Sequence, residues 1–174
     1  MVIVRKEKFN SEKSIQYISD KAEKTENKSG MEDLKLGAAI DIGTTSIAVG
    51  LFDMENEVLL GNLTQTNCQT KFGSDVMMRI MHCTNGKEQL LHDMLIEQIE
   101  NIITVIIEQN ISEKYKSYVV ERMTVVGNTT MCHIFLNRDV TGLSGAPFSM
   151  AYKGIANVNS QEAGFKIYNI SEII

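Results

Sequence analysis

The hydrophobic pattern divides this chain near Leu36. Over residues 1–35, Lys and Glu interleave with only two short apolar groups, at 2–4 and 15–18, the latter able to form a helical turn. The stretch 23–33, with Lys28-Ser29-Gly30, reads as a flexible linker. Beyond it, apolar β-branched runs predict strands at 37–42, 46–53 and 57–65. They are joined by a Gly-Thr-Thr turn and by Asp53-Met54-Glu55-Asn56, so the three form an antiparallel meander. A helix is expected at 73–83, stopped by Asn85-Gly86. A longer one follows at 87–109, where Leu91, Leu95, Ile99, Ile102 and Ile106 recur every three or four residues and make a core-facing stripe. Val119-Val120 and residues 123–126 read as a fourth strand, and Asn128 can cap a helix running to about Asn137. Residues 150–174 add one or two short strands, with 164–168 the best candidate.

Three strands, helices, a strand and a helix make an α/β layer, and 43% hydrophobic content in 174 residues is enough for one core. A net charge of −5 argues against nucleic acid as a partner. No apolar run approaches the roughly 18 residues of a membrane span, and residues 1–35 hold no signal-peptide core, so a cytoplasmic location is expected. Cys68, Cys83 and Cys132 are scattered and odd in number. They suit reduced, small apolar fillers rather than a zinc site or disulfide framework. An iron–sulfur cluster of ferredoxin type needs four thiolates at set spacing, so none is expected here.

The candidate chemistry begins where the first strand delivers Asp41 onto Gly43-Thr44-Thr45. Gly43 permits close backbone approach, and the amides of 43–45 with the Thr hydroxyls can converge on a phosphate. Asp41 has the charge to hold a hydrated Mg²⁺ beside it. An ordinary hairpin turn uses the same residues. Asn128, Thr129 and Thr130 follow an apolar strand, where α/β folds place ligand-binding groups, and they equally suit a helix cap. Asp75 and Arg79, four apart, suggest an intrahelical ion pair. His133 is expected to pack rather than to move protons, and His82 and His92 show no metal-binding spacing. Ten Met residues suit an adaptable core or interface.

Asp41-Ile42-Gly43-Thr44-Thr45 resembles the first phosphate motif of the actin, sugar-kinase and heat-shock ATPase superfamily. Phe72-Gly73-Ser74-Asp75-Val76 with Arg79-Ile80, Val125-Val126-Gly127-Asn128-Thr129-Thr130-Met131 with His133, and Gly142-Leu143 to Ala146-Pro147-Phe148 narrow that resemblance. Together they are similar to the ATPase domain of the reductive activators of corrinoid proteins, over about residues 36–170. The resemblance implies a ribonuclease-H-like half-domain over 36–174, preceded by the polar segment 1–35. It implies ATP and Mg²⁺ as the family's cofactors, with Asp41 as the catalytic, water-mediated Mg²⁺ residue and Gly43, Thr44, Thr45, Asn128 and Thr129 as phosphate contacts. It implies a corrinoid protein as partner, with a homo-oligomer or a complementary ATPase half as further ones. The family's second phosphate block and its Gly-Pro-Ala adenosine block are missing from these 174 residues, and Cys68 stands where the family's Asn-Pro-Gln stretch has Pro. The resulting expectation is a partial ATPase domain that binds ATP phosphates weakly and needs a second half for turnover. A non-catalytic docking module is the alternative, and a small-molecule kinase fragment a lesser one.

Overall fold

The computed structural model describes residues 34–111 and 117–174. The expectation of a linker in 1–35 lies almost wholly outside them. Strands β1 (Leu34–Ile42), β2 (Ser46–Asp53) and β3 (Val58–Thr66) form the expected antiparallel meander. β4 (Tyr118–Gly127) then pairs parallel to β1, and β5 (Glu172–Ile173) pairs parallel to β4, giving the sheet order β3-β2-β1-β4-β5. β1 is therefore central. Its residues alternate: Leu34, Leu36, Ala38, Ile40 and Ile42 are buried on one face, while Lys35, Ala39 and Asp41 are exposed on the other.

The buried face is covered by α2 (Glu88–Asn110), and every residue of the stripe read from the sequence is buried there, joined by Ile96, Ile103 and Ile107. Each such Leu or Ile contributes about 1.5–3 kcal/mol by leaving water, so this helix is the main clamp on the sheet. A shorter helix, α1 (Val76–His82), precedes it. It starts three residues later than expected because Cys68–Phe72 forms a 3₁₀ turn capped by Asn67, and Gly73, at φ 112°, breaks away from that turn. Asn85-Gly86 interrupts the helical dihedrals as predicted, but the chain passes through one wide turn, Cys83–Lys87, directly into α2. The last helix, α3 (Thr129–Phe135), is capped by Asn128.

The expectation of a strand at 164–168 is wrong. Glu100, buried on α2, accepts from the Lys166 and Ile167 amides at 2.7 and 2.6 Å, and Phe165 donates to Ser160 at 2.9 Å. The amides that a ladder would need are thus committed to a carboxylate and a turn. Gly164 sits at φ 83° against His92, where a Cβ would lie 2.6 Å from Nε2. The strand forms further on, as β5, whose pairing is short and leaves Ile174 to bond Val125 and Met123.

Candidate functional site

Two parallel neighbours end at the same edge of a sheet, and this places the site. β1 and β4 run in register from Gly37↔Arg122 to Ile42↔Gly127, so the turns that follow them emerge side by side. Both sequence-derived candidates sit there. Asp41, one residue from the end of β1, stands between Ala48 and Val126 with its carboxylate exposed.

The 43–45 turn is tight. Gly43 donates to Ser46 O at 2.9 Å, and a Cβ on Gly43 would sit 2.7 Å from that oxygen. Its amide therefore closes the turn and is not free for a ligand, so glycine acts here through close approach. The amides of Thr44 and Thr45, by contrast, have no hydrogen-bond acceptor among the described residues. Gly127 permits the second close approach, since a Cβ there would lie 2.9 Å from Ile42 O.

Asn128 joins the two turns. Its Oδ1 accepts from the Met131 amide at 3.0 Å, capping α3, and its Nδ2 donates to Thr44 Oγ1 at 3.1 Å. The cap reading of Asn128 is realised, and the same side chain ties the two turns together, so both of its polar atoms are committed within the protein. Thr129 opens α3 beside it, and Thr130 is buried.

Two residues of this arrangement were not singled out from the sequence for it. Asn67, fully buried, donates from Nδ2 to Gly43 O at 2.9 Å, accepts from Gln69 N at 2.9 Å, and gives its own amide to Thr45 O at 2.8 Å. Arg79 is fully buried too. It donates to Gly73 O and, at 3.2 Å, to Thr44 O, while its Nε is buried without a partner. The expected Asp75–Arg79 ion pair does not form: Asp75 caps α1 by accepting from Met78 N at 2.9 Å, and Arg79 turns inward under the turn. A signal existed in the spacing, because Asp75 immediately before an apolar helix start is a better cap than a mid-helix partner. Burial holds the Arg79 guanidinium below its ordinary pKa, with Asp75 acting on it only from a distance.

His133 packs as expected. It is buried, with Nδ1 on Thr129 O at 2.7 Å and its ring tilted over Tyr152 at 4.7 Å between centroids. His82 lies edge-on to Phe72, and His92 is buried with Nδ1 on Ile134 O at 3.1 Å. The cysteines are free thiols, and burial pushes Cys83 up to about 11 and raises Cys68 and Cys132, so all stay protonated at neutral pH. No group of three or more His, Cys, Asp or Glu that could enclose a metal occurs among the described residues. A lone exposed carboxylate beside two uncommitted amides and two hydroxyls fits a hydrated Mg²⁺–phosphate pair better than a fully liganded ion, since Mg²⁺ keeps most of its waters. A cleft of about 340 Å³ lies elsewhere, between the Cys83–Lys87 turn and residues 137–141, and contains none of these groups.

A meander continued by a parallel strand, with helices on one face and a tight Gly-Thr-Thr turn after the central strand, has the ribonuclease-H-like fold of an actin-like half-domain. Comparison with known proteins narrows this class. Residues 36–174 match the model for the RACo middle region, and the chain belongs to that family. It is 34% identical over 114 residues to the corrinoid activation enzyme RamQ of Eubacterium limosum, a match covering 64% of this chain and 19% of that protein. A solved structure titled reductive activator for corrinoid, iron-sulfur protein is 30% identical and superposes with a TM-score of 0.70 over 84% of this chain and 24% of the other. The chain thus spans about a fifth to a quarter of the length of these relatives. No helix of the described residues is long and apolar enough to cross a membrane.

Proposed function

We propose that this chain forms the first phosphate-binding wall of the ATPase domain of a corrinoid-protein reductive activator. The observation that carries the reading is the Asn128–Thr44 bond, which holds the 41–45 turn and the start of α3 together at one sheet edge. The free Thr44 and Thr45 amides would hold phosphate oxygens, Asp41 would orient the water shell of Mg²⁺, and Asn128 would keep the Thr44 hydroxyl in place. Mg²⁺–ATP, when bound, supplies the charge that this arrangement answers. In such an activator, nucleotide state would bias a conformational equilibrium and so alter the docking of a corrinoid protein. The family match gives no support to a small-molecule kinase.

One wall leaves the phosphates largely in water, where each charge interaction is weak. Calorimetric titration of the chain with Mg²⁺–ATP is therefore expected to show binding no tighter than the high-micromolar range, about −5 to −6 kcal/mol, and no appreciable turnover. Stoichiometric hydrolysis by the purified chain would refute the need for a second half.

A docking module is the second reading, favoured by exposed Met77 and Met81 on α1 and by Ile155 at 81% exposure, because adaptable apolar side chains left in water suit a protein partner. Titration heat from Mg²⁺–ATP would separate the two, since that module needs no nucleotide.

A further inference from the structure

Each of the two free amides at the turn shares a peptide group with a carbonyl that a buried side chain holds. Gly43 O, bonded by Asn67 Nδ2, belongs to the same peptide as the Thr44 amide. Thr44 O, bonded by Arg79, belongs to the same peptide as the Thr45 amide. In a trans peptide the C=O and N–H point in opposite directions, so fixing the carbonyl inward fixes the N–H outward.

We infer that Asn67 and Arg79 are positioning residues that aim the Thr44 and Thr45 amides at a bound phosphate; the inference rests on the phosphate reading given above. Neither side chain touches the ligand. The cost of burying Arg79 argues that it does more than fill space. Arg79 is fully buried with no ion pair among the described residues and with its Nε unpartnered. Burying an uncompensated cation is expensive, and a hydrophobic residue of similar volume would pack α1 against the sheet at lower cost. A guanidinium, unlike an ammonium, presents a planar fork. That fork reaches Gly73 O and Thr44 O together, tying the approach to α1 to the phosphate turn. Its charge also lies behind the turn, where it favours an anion in front.

The two anchors predict separable effects, which a merely structural role would not give. Arg79→Met and Arg79→Lys are compared with the parent chain by amide-resolved NMR, reading the Mg²⁺–ATP titration and the residual dipolar couplings of the Thr44 and Thr45 N–H bonds. Arg79→Met is expected to weaken Mg²⁺–ATP about tenfold. Arg79→Lys keeps the charge, loses the fork, and falls between. In both variants the Thr45 coupling departs from its parent value, while that of Thr44, still held by Asn67, changes less. If Arg79→Met does not fold, the Lys variant carries the test. Parent-like affinity and an unchanged Thr45 coupling in a folded variant would overturn the inference. A parent chain whose Thr44 and Thr45 amides ignore Mg²⁺–ATP, with the Thr45 coupling still sensitive to residue 79, would instead overturn the phosphate reading beneath it.

Discussion

Asp41→Asn, in a protein completed with the second half of the domain, is expected to slow ATP hydrolysis by about 10²-fold or more, on the order of 3 kcal/mol of lost electrostatic stabilisation. The two side chains are nearly isosteric, and Asp41 is exposed at the end of β1 with no hydrogen bond from its side chain among the described residues, so the fold should not feel the change. Asn is also as good a turn former as Asp. The substitution therefore removes charge and little else. Single-turnover hydrolysis with a parallel melting curve checks it: an unchanged melting temperature with a lost rate supports the metal-orienting role. A folded variant with parental turnover would leave Asp41 as an ordinary turn residue.

Asn67→Ala is expected to cost about 2–4 kcal/mol of stability, because it strands the buried Gln69 amide and the half-buried Gly43 carbonyl. For a domain of this size that lowers the melting temperature by roughly 10 °C. Asn67→Asp separates the two jobs. A carboxylate can still accept from Gln69 N, so the cap survives, but it cannot donate to Gly43 O and sets charge against a carbonyl. The Asp variant should thus fail to recover the stability lost in the Ala variant. Thermal unfolding of both variants gives the answer. A melting temperature within about 2 °C of the parent for Asn67→Ala would mean that the turn holds itself.

These two residues also mark how far the sequence was legible. The helix could be read because periodicity reports burial directly, the Leu91 to Ile106 stripe being the face that meets the core, and the strands because their apolar β-branched runs end at turn-forming residues, with β1 and β2 alternating in burial. Asp41 and the 43–45 turn could be read because their chemistry lies within a few consecutive residues. That Asn128 meets Thr44 could be argued only after β4 was placed parallel to β1, a fact of topology across 84 residues. Asn67 and Arg79 were harder, since they act through backbone carbonyls 24 and 35 residues away, and a carbonyl leaves no trace in a sequence. At Arg79 the local rule pointed to a partner four residues back, and the more distant carbonyls won because Asp75 was needed as a cap. The misplaced strand at 164–168 failed in a similar way: Phe165 and Tyr168 are buried, but three residues apart and with Ile167 exposed between them, so no strand face forms, and Glu100 took the amides of 166 and 167. Long-range polar groups decided each of these outcomes.

A phosphate held by the 43–45 turn would bring its metal beside Asp41 and within reach of the start of α3. Titration with Mn²⁺–ATP locates that metal, because Mn²⁺ takes the place of Mg²⁺ and broadens NMR signals only near itself. Broadening is expected to centre on Asp41, Gly43, Thr44 and Thr45, to extend to Asn128 and Thr129, and to be lost from this region in Asp41→Asn. Broadening centred instead on the cleft lined by Cys83, Asn137 and Asp139, with the 41–45 amides unaffected, would contradict this placement.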